Sequence, residues 1–194
     1  MMDQNDQKQV LALDIRSRSF GFAVFEGPNH LLDWGVRSFR SGVNAVKLPP
    51  SKKLLALLDE FAPSAVVIGK PEPGRNRKRA PLLATIQRVA KYRRIPVRLV
   101  SRQAIERAFA GAARNKYQIA CTVAQRLPEL ATRLPPKRKI WQSEDYRTSI
   151  FDAAALGVAY CSRRGSVRSA LPENETSALA RQTTKLTGHG PANI

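Results

Sequence analysis

The spacing of apolar residues changes period along the chain, and each change predicts a different element. Val10 to Ile15 reads VLALDI, a dense apolar run with one acid near its end, as a buried strand can have. Arg16 to Ser19 is polar and turn-like. Phe20 to Phe25, FGFAVF, predicts a second strand, broken by Gly27, Pro28 and Asn29. Leu31 to Phe39 predicts a third. From Lys52 to Phe61 the period becomes helical, with Leu54, Leu55, Leu57, Leu58 and Phe61 on one face and Pro63 as the stop. Ala65 to Gly69, AVVIG, is short and wholly apolar, as a central parallel strand would be. Leu82 to Arg93 predicts a helix and Pro96 to Val100 a strand. Ser101 is placed to cap a helix. Asn115 to Leu127 predicts a further helix that Pro128 ends, and a basic Pro-rich stretch, LPPKRK, follows. Ile150 to Tyr160 predicts a last apolar helix containing one acid.

Three strands joined by short turns, then alternating helices and strands, predict a mixed five-stranded sheet with helices on both faces. This is the element order of a ribonuclease H-like α/β fold. Residues 1–9 form a polar lead and 10–162 the expected domain. Residues 163–194 are rich in Ser, Thr, Gly, Ala and Arg with little apolar periodicity, so they are expected to be disordered. No apolar run is long enough for a membrane span, and the polar lead lacks the apolar core of a secretory leader. A cytoplasmic location is the expectation. Cys121 and Cys161 fall on apolar helical stretches and are expected to be reduced thiols.

Charge narrows the partners. Thirty-three Lys and Arg against fifteen Asp and Glu leave a formal +18 over 194 residues. The 163–194 segment contributes only three of these charges, so the domain itself is basic. Such a surface calls for an anionic partner, and nucleic acid is the usual one because each neutralised phosphate releases counterions.

Acids set in apolar surroundings are the candidate chemistry. Asp14 comes near the end of the first strand, and Asp152 sits among Phe151, Ala153 and Leu156 on the last helix. A carboxylate in such a place needs a compensating cation, and hard oxygen donors suit Mg²⁺ or Mn²⁺. A surface role remains open for each: Asp14 capping a turn, Asp152 favoured by a helix dipole. Glu72, stiffened between Pro71 and Pro73, is the candidate third metal ligand. Asp145 is a weaker fourth. On one straight helix it would lie roughly 10.5 Å along the axis from Asp152, so it contributes only if the helix starts near Thr148 and the preceding loop folds back. Otherwise Glu144 and Asp145 serve a helix N-terminus. His30 follows a turn and His189 lies in the tail, and neither suits catalysis.

Basic residues bracket these acids. Arg75, Arg77, Lys78 and Arg79 follow Glu72, Arg102 follows the fifth strand, Lys116 opens a helix, and Lys137, Arg138 and Lys139 precede Glu144. Loops beyond the strand ends of an open sheet form a ligand crevice, so Arg75, Arg77, Lys78, Arg79, Arg102, Lys116 and Arg138 are the candidate phosphate contacts. Trp141 and Tyr146 could stack on a base, although core or lid packing is the expectation.

The segments LALDIRSRSFGFAVF, AVVIGKPE, LVSRQAIERAF, NKYQIA and IFDAAALGVAY together resemble the RuvC-like crossover-junction endonucleases, the Holliday-junction resolvases, over about residues 10–160. The resemblance implies a two-metal site with acids at the ends of the first and fourth strands and on the last helix. Asp14 and Asp152 match two of these positions. The fourth-strand acid is replaced by Gly69 or Lys70, and the acid three residues before Asp152 by Ser149. Glu72 and Asp145 are the expected substitutes. The implied function is a Mg²⁺- or Mn²⁺-dependent endonuclease on branched DNA, working as a homodimer. Processing of structured RNA, or nucleic-acid binding without cleavage, are the alternatives.

Overall fold

The structure, a computed structural model, describes residues 8–39, 50–71, 78–109, 115–139, 141 and 144–169, with side chains up to 163. Its strands are β1 (Val10–Ile15), β2 (Ser19–Phe25), β3 (Leu31–Ser38), β4 (Ala65–Gly69) and β5 (Val97–Val100). Its helices are α1 (Pro50–Phe61), α2 (Ala80–Tyr92), α3 (Arg102–Ala108), α4 (Lys116–Arg126) and α5 (Thr148–Ser169). The strands form one sheet in the order β3-β2-β1-β4-β5. β1 and β3 run antiparallel to β2, and β4 lies parallel to both β1 and β5. The meander expected from the first three strands and the parallel half expected from the alternating part are both present. This is the ribonuclease H-like sheet.

The two-residue period of the strands sorts the core onto two faces. Leu11, Leu13, Phe20, Phe22, Val24, Val66 and Ile68 pack with Leu54, Leu57 and Leu58 of α1 and with Leu82, Ile86 and Val89 of α2. Val10, Ala12, Ala23, Phe25 and Val67 face the other way, onto Phe151 and Ala153–Ala155 of α5, with Phe109, Val123 and Leu127 in the same cluster. Burying one such Phe contributes about 1.5–3 kcal/mol. The small residues of α5 let it lie close to the sheet: a methyl at Gly157 would meet the Phe25 ring at 2.1 Å.

Two helix starts follow directly from residue chemistry. Ser101 accepts from the Ala104 N–H and caps α3, and Asn115 accepts from the Gln118 N–H and caps α4. Pro128 ends α4 as expected, and Pro128–Arg133 then coils into a 3-10 turn. A ring-locked φ is compatible with the first turn of a helix, so the same proline stops one element and starts the next.

Residues 1–162 form one compact unit and 163–194 a second. The boundary falls inside α5, whose backbone stays helical to Ser169 although structure was expected to cease after Ser162. Cys161 is buried and Cys121 half-buried. Among the described residues no helix is long and apolar enough to cross a membrane.

Candidate functional site

Strand parity decides where Asp14 points. It continues the Val10–Ala12 series, which faces α5, and lies one residue before the end of β1, opposite Gly21 of β2. Gly21 has no side chain, and the backbone of Ser149 takes that space: a methyl there would lie 2.2 Å from the Ser149 carbonyl oxygen. The first turn of α5 is thereby seated on the sheet beside the end of β1, which brings Asp152 to Asp14.

Arg16 joins the acids. Its Nε donates to Asp14 Oδ2 and its Nη2 to Asp152 Oδ2 at 2.6 Å, so both carboxylates lie on one edge of the guanidinium. Its Nη1 donates to Glu144 Oε2. Lys116 adds a second cation, with Nζ against Glu144 Oε1 and 2.7 Å from Asp152 Oδ2. Burial and the neighbouring Asp152 carboxylate push the Asp14 carboxyl up to about 6, against the pull of Arg16. Asp152 is likewise raised by burial, against Lys116 and Arg16. Burial also acts against the charge of Glu144, but hydrogen bonds from Lys116 and Arg16 together hold it below the usual range. The more buried pair is thus left short of positive charge even with two cations in place.

A cleft of about 560 Å³ opens onto this cluster, lined by Asp14, Gly69, Arg102, Asn115, Lys116 and Asp152 among others. A neighbouring one of about 620 Å³ shares Asn115 and Lys116 and adds Lys137, Arg138, Glu144 and Asp145. Arg102, Lys116 and Arg138 therefore border connected space. Lys78 lines a separate recess with Arg18, Phe39 and Pro81 that shares no described residue with the other two. Arg79 is exposed just before α2. Glu72, Arg75, Arg77 and His189 lie outside the described residues. His30 sits on the surface 3.2 Å from Glu26.

Asp145 is placed differently from its expected role. α5 does start at Thr148 and the preceding loop does fold back, but that loop delivers Glu144. Asp145 instead takes the backbone N–H of Arg147 at 2.8 Å and its guanidinium at 2.7 Å, and this pairing holds its carboxyl low. A short Asp-x-Arg span lets a carboxylate close on its own loop, and that was the available signal in the sequence. Trp141 and Tyr146 do not pack as core or lid. They are 80% and 67% exposed, and Lys139 Nζ lies 5.7 Å from the Trp141 ring centre.

Among the described residues no group of three or more His, Cys, Asp or Glu side chains is arranged to hold one metal ion. The Asp14–Asp152 pair still fits a hard divalent cation in donor chemistry. Mg²⁺ commonly keeps several waters and takes one or two carboxylates together with a substrate phosphate. A two-ion centre would require further carboxylates, and the position β4 offers is Gly69. That residue follows Ile68, the partner of Leu13, and lines the cleft. Among the described residues a Cβ there would meet only Leu156, at an ordinary 3.8 Å. Gly69→Glu should therefore be tolerated and should tighten Mn²⁺ binding on the order of tenfold by adding a charged oxygen donor. Titration calorimetry reads this out, and an unchanged affinity in a folded variant would contradict the placement.

No protein-family model matches the sequence, and no curated protein matches it. Solved structures do. The Thermus thermophilus RuvC structure matches with a TM-score of 0.57 at 18% identity, over 81% of this chain and 96% of that one. The yeast mitochondrial Holliday junction resolvase matches at 0.57 and 12%, over 84% and 83%. The fowlpox virus resolvase, solved with its Holliday junction DNA, matches at 0.51 and 14%, over 79% and 99%. The chain thus has the ribonuclease H-like fold shared by these solved Holliday junction resolvases.

Proposed function

We propose that this chain is a Mg²⁺- or Mn²⁺-dependent endonuclease that hydrolyses phosphodiester bonds in branched DNA. One observation carries the reading: Asp14 and Asp152, far apart in sequence, present oxygens to one edge of a single cation beside a cleft bordered by Arg102 and Lys116. The resolvase fold supports it, since two of the matching structures were solved with Holliday junction DNA.

Asp14 and Asp152 are the residues that would hold the ion, with Glu144 beside them and Glu72 proposed as a further ligand. When bound, the ion would polarise the phosphate and ease ionisation of the attacking water. Lys116 and Arg102 would hold phosphate oxygens in the cleft, while Lys137 and Arg138 extend positive charge along the adjoining space. Arg75, Arg77, Lys78 and Arg79 are proposed to contact more distant phosphates. A homodimer would offer one cleft to each of two strands.

The test is a cleavage panel of four-way junction, duplex, flap and RNA hairpin, with Mg²⁺, with Mn²⁺ and with EDTA. Metal-dependent cutting of the junction is the expected result. Preference for the hairpin would shift the substrate to structured RNA. One observation favours a second reading, binding without cleavage: Arg16 and Lys116 already pair with the three acids. Metal-independent junction binding with no cutting under any condition would select it.

The raised Asp14 carboxyl gives a pH dependence with a definite sign. An acid whose folded value lies above its unfolded one stabilises the fold fully below about pH 4 and loses that contribution as pH rises through about 6. Ionised Asp14 is nevertheless the form that binds a cation. Mn²⁺ affinity should therefore fall as pH is lowered through about 6, while metal-free thermal stability gains an Asp14-dependent contribution over the same interval. Calorimetry and thermal denaturation between pH 5 and 8, compared with Asp14→Asn, measure both. Parallel pH trends in the two proteins would remove Asp14 as the titrating group.

A further inference from the structure

We infer that Arg16, which bridges Asp14, Asp152 and Glu144, keeps this carboxylate cluster closed to divalent cations until a phosphodiester draws its guanidinium away. The inference rests on the metal-binding reading above and adds a residue that sets when the ion can bind.

The geometry leaves little room for both cations. Arg16 donates to Asp14 Oδ2 through Nε and to Asp152 Oδ2 through Nη2, so one oxygen of each acid that would hold a divalent ion is already engaged by a cation. A divalent ion held by the same two acids would compete with those hydrogen bonds and would also face the repulsion of the guanidinium charge. Arg16 is also held at its third nitrogen by Glu144, and its backbone N–H donates to the Ser19 carbonyl at 2.9 Å. The turn position is thus set by the backbone, while only the side chain needs to move.

A guanidinium is suited to make that move toward a phosphate. Its planar fork donates to two oxygens of a carboxylate or of a phosphate with similar geometry, so one ligand can be exchanged for the other. Arg16 is 21% exposed, so its side chain is not sealed from solvent. Lys116 differs, because it is half exposed and contacts Asp152 and Glu144 but not Asp14. It can stay in place while Arg16 leaves. Coupling of this kind is reciprocal: nucleic acid should strengthen metal binding, and metal should strengthen nucleic-acid binding, by the same factor.

The experiment measures Mn²⁺ affinity by titration calorimetry on the full chain, so that cleavage is not the readout. Wild type, Arg16→Gln and Arg16→Lys are compared alone and with a phosphorothioate-protected four-way DNA junction. Without DNA, Arg16→Gln should bind Mn²⁺ on the order of tenfold tighter than wild type or more. Arg16→Lys, which keeps the charge but not the three-way fork, should fall between. The junction should tighten Mn²⁺ binding strongly in wild type and little in Arg16→Gln. Equal or weaker Mn²⁺ binding by Arg16→Gln would overturn the inference while leaving the metal site standing. Absence of Mn²⁺ binding in every protein, with and without the junction, would remove the metal reading and this inference with it. Should Arg16→Gln fail to fold without metal, Arg16→Lys decides: tighter binding than wild type supports the inference, and equal binding overturns it.

Discussion

Asp14→Asn should reduce junction cleavage by at least ~10³-fold while leaving junction affinity unchanged or slightly higher. The substitution keeps volume and hydrogen-bonding shape but removes the anionic oxygen from the end of β1. Asp14 is partly buried, its side chain 15% exposed, and shares the guanidinium edge with Asp152, so no other described carboxylate can take its position without moving the backbone. Affinity is expected to hold because phosphate contacts come from Arg102, Lys116 and their neighbours, and a repelling charge is lost. The fold should survive, since an amide is cheaper to bury than a carboxylate whose ionisation is already disfavoured. Single-turnover cleavage and a gel-shift titration separate the two effects. Unimpaired cutting would eliminate the proposed role, and lost binding with intact cutting would invert it.

Gly21→Ala should have the largest effect on stability, with a loss of roughly 3 kcal/mol. The added methyl would lie 2.2 Å from a backbone oxygen and 2.4 Å from the carbonyl carbon of Ser149, and backbone cannot rotate aside as a side chain can. Either β2 bends or the first turn of α5 lifts. Lifting separates Asp152 from Asp14, so the same variant should also lose Mn²⁺ affinity. Chemical denaturation and metal titration check the two consequences. A variant with wild-type stability would show that the helix start is not seated on Gly21.

That contact also clarifies what could be read without coordinates. The strands were legible because apolar runs with turn residues between them are a local signal, and β1 and β4 emerged with the expected bounds. The side toward which Asp14 points was legible too, through alternation with Val10 and Ala12. Asp152 stood out as an acid among buried neighbours. Glu144 and Asp145 were adjacent and chemically alike, and choosing between them required knowing that Asp145 closes on Arg147. Arg16 was read only as part of a polar turn, although its place two residues beyond Asp14 puts it on the same side of a strand. Its contacts with Asp152 and Glu144 depend on how far α5 approaches the sheet, which no local pattern encodes. Ser149 likewise has its reason in packing: it is buried against Gly21, with its hydroxyl donating to the Tyr146 carbonyl.

Helix α5 is covered on nearly every side between Ile150 and Ala159, the stretch that carries Asp152. Amides in that stretch should exchange with deuterium only through global unfolding, whereas those of Glu144 and Asp145, outside any helix or strand, should exchange through smaller, cheaper openings. The acids consequently differ in thermal persistence. On warming, the loop carboxylate should drift out of register first, while Asp152 stays anchored until the whole domain melts.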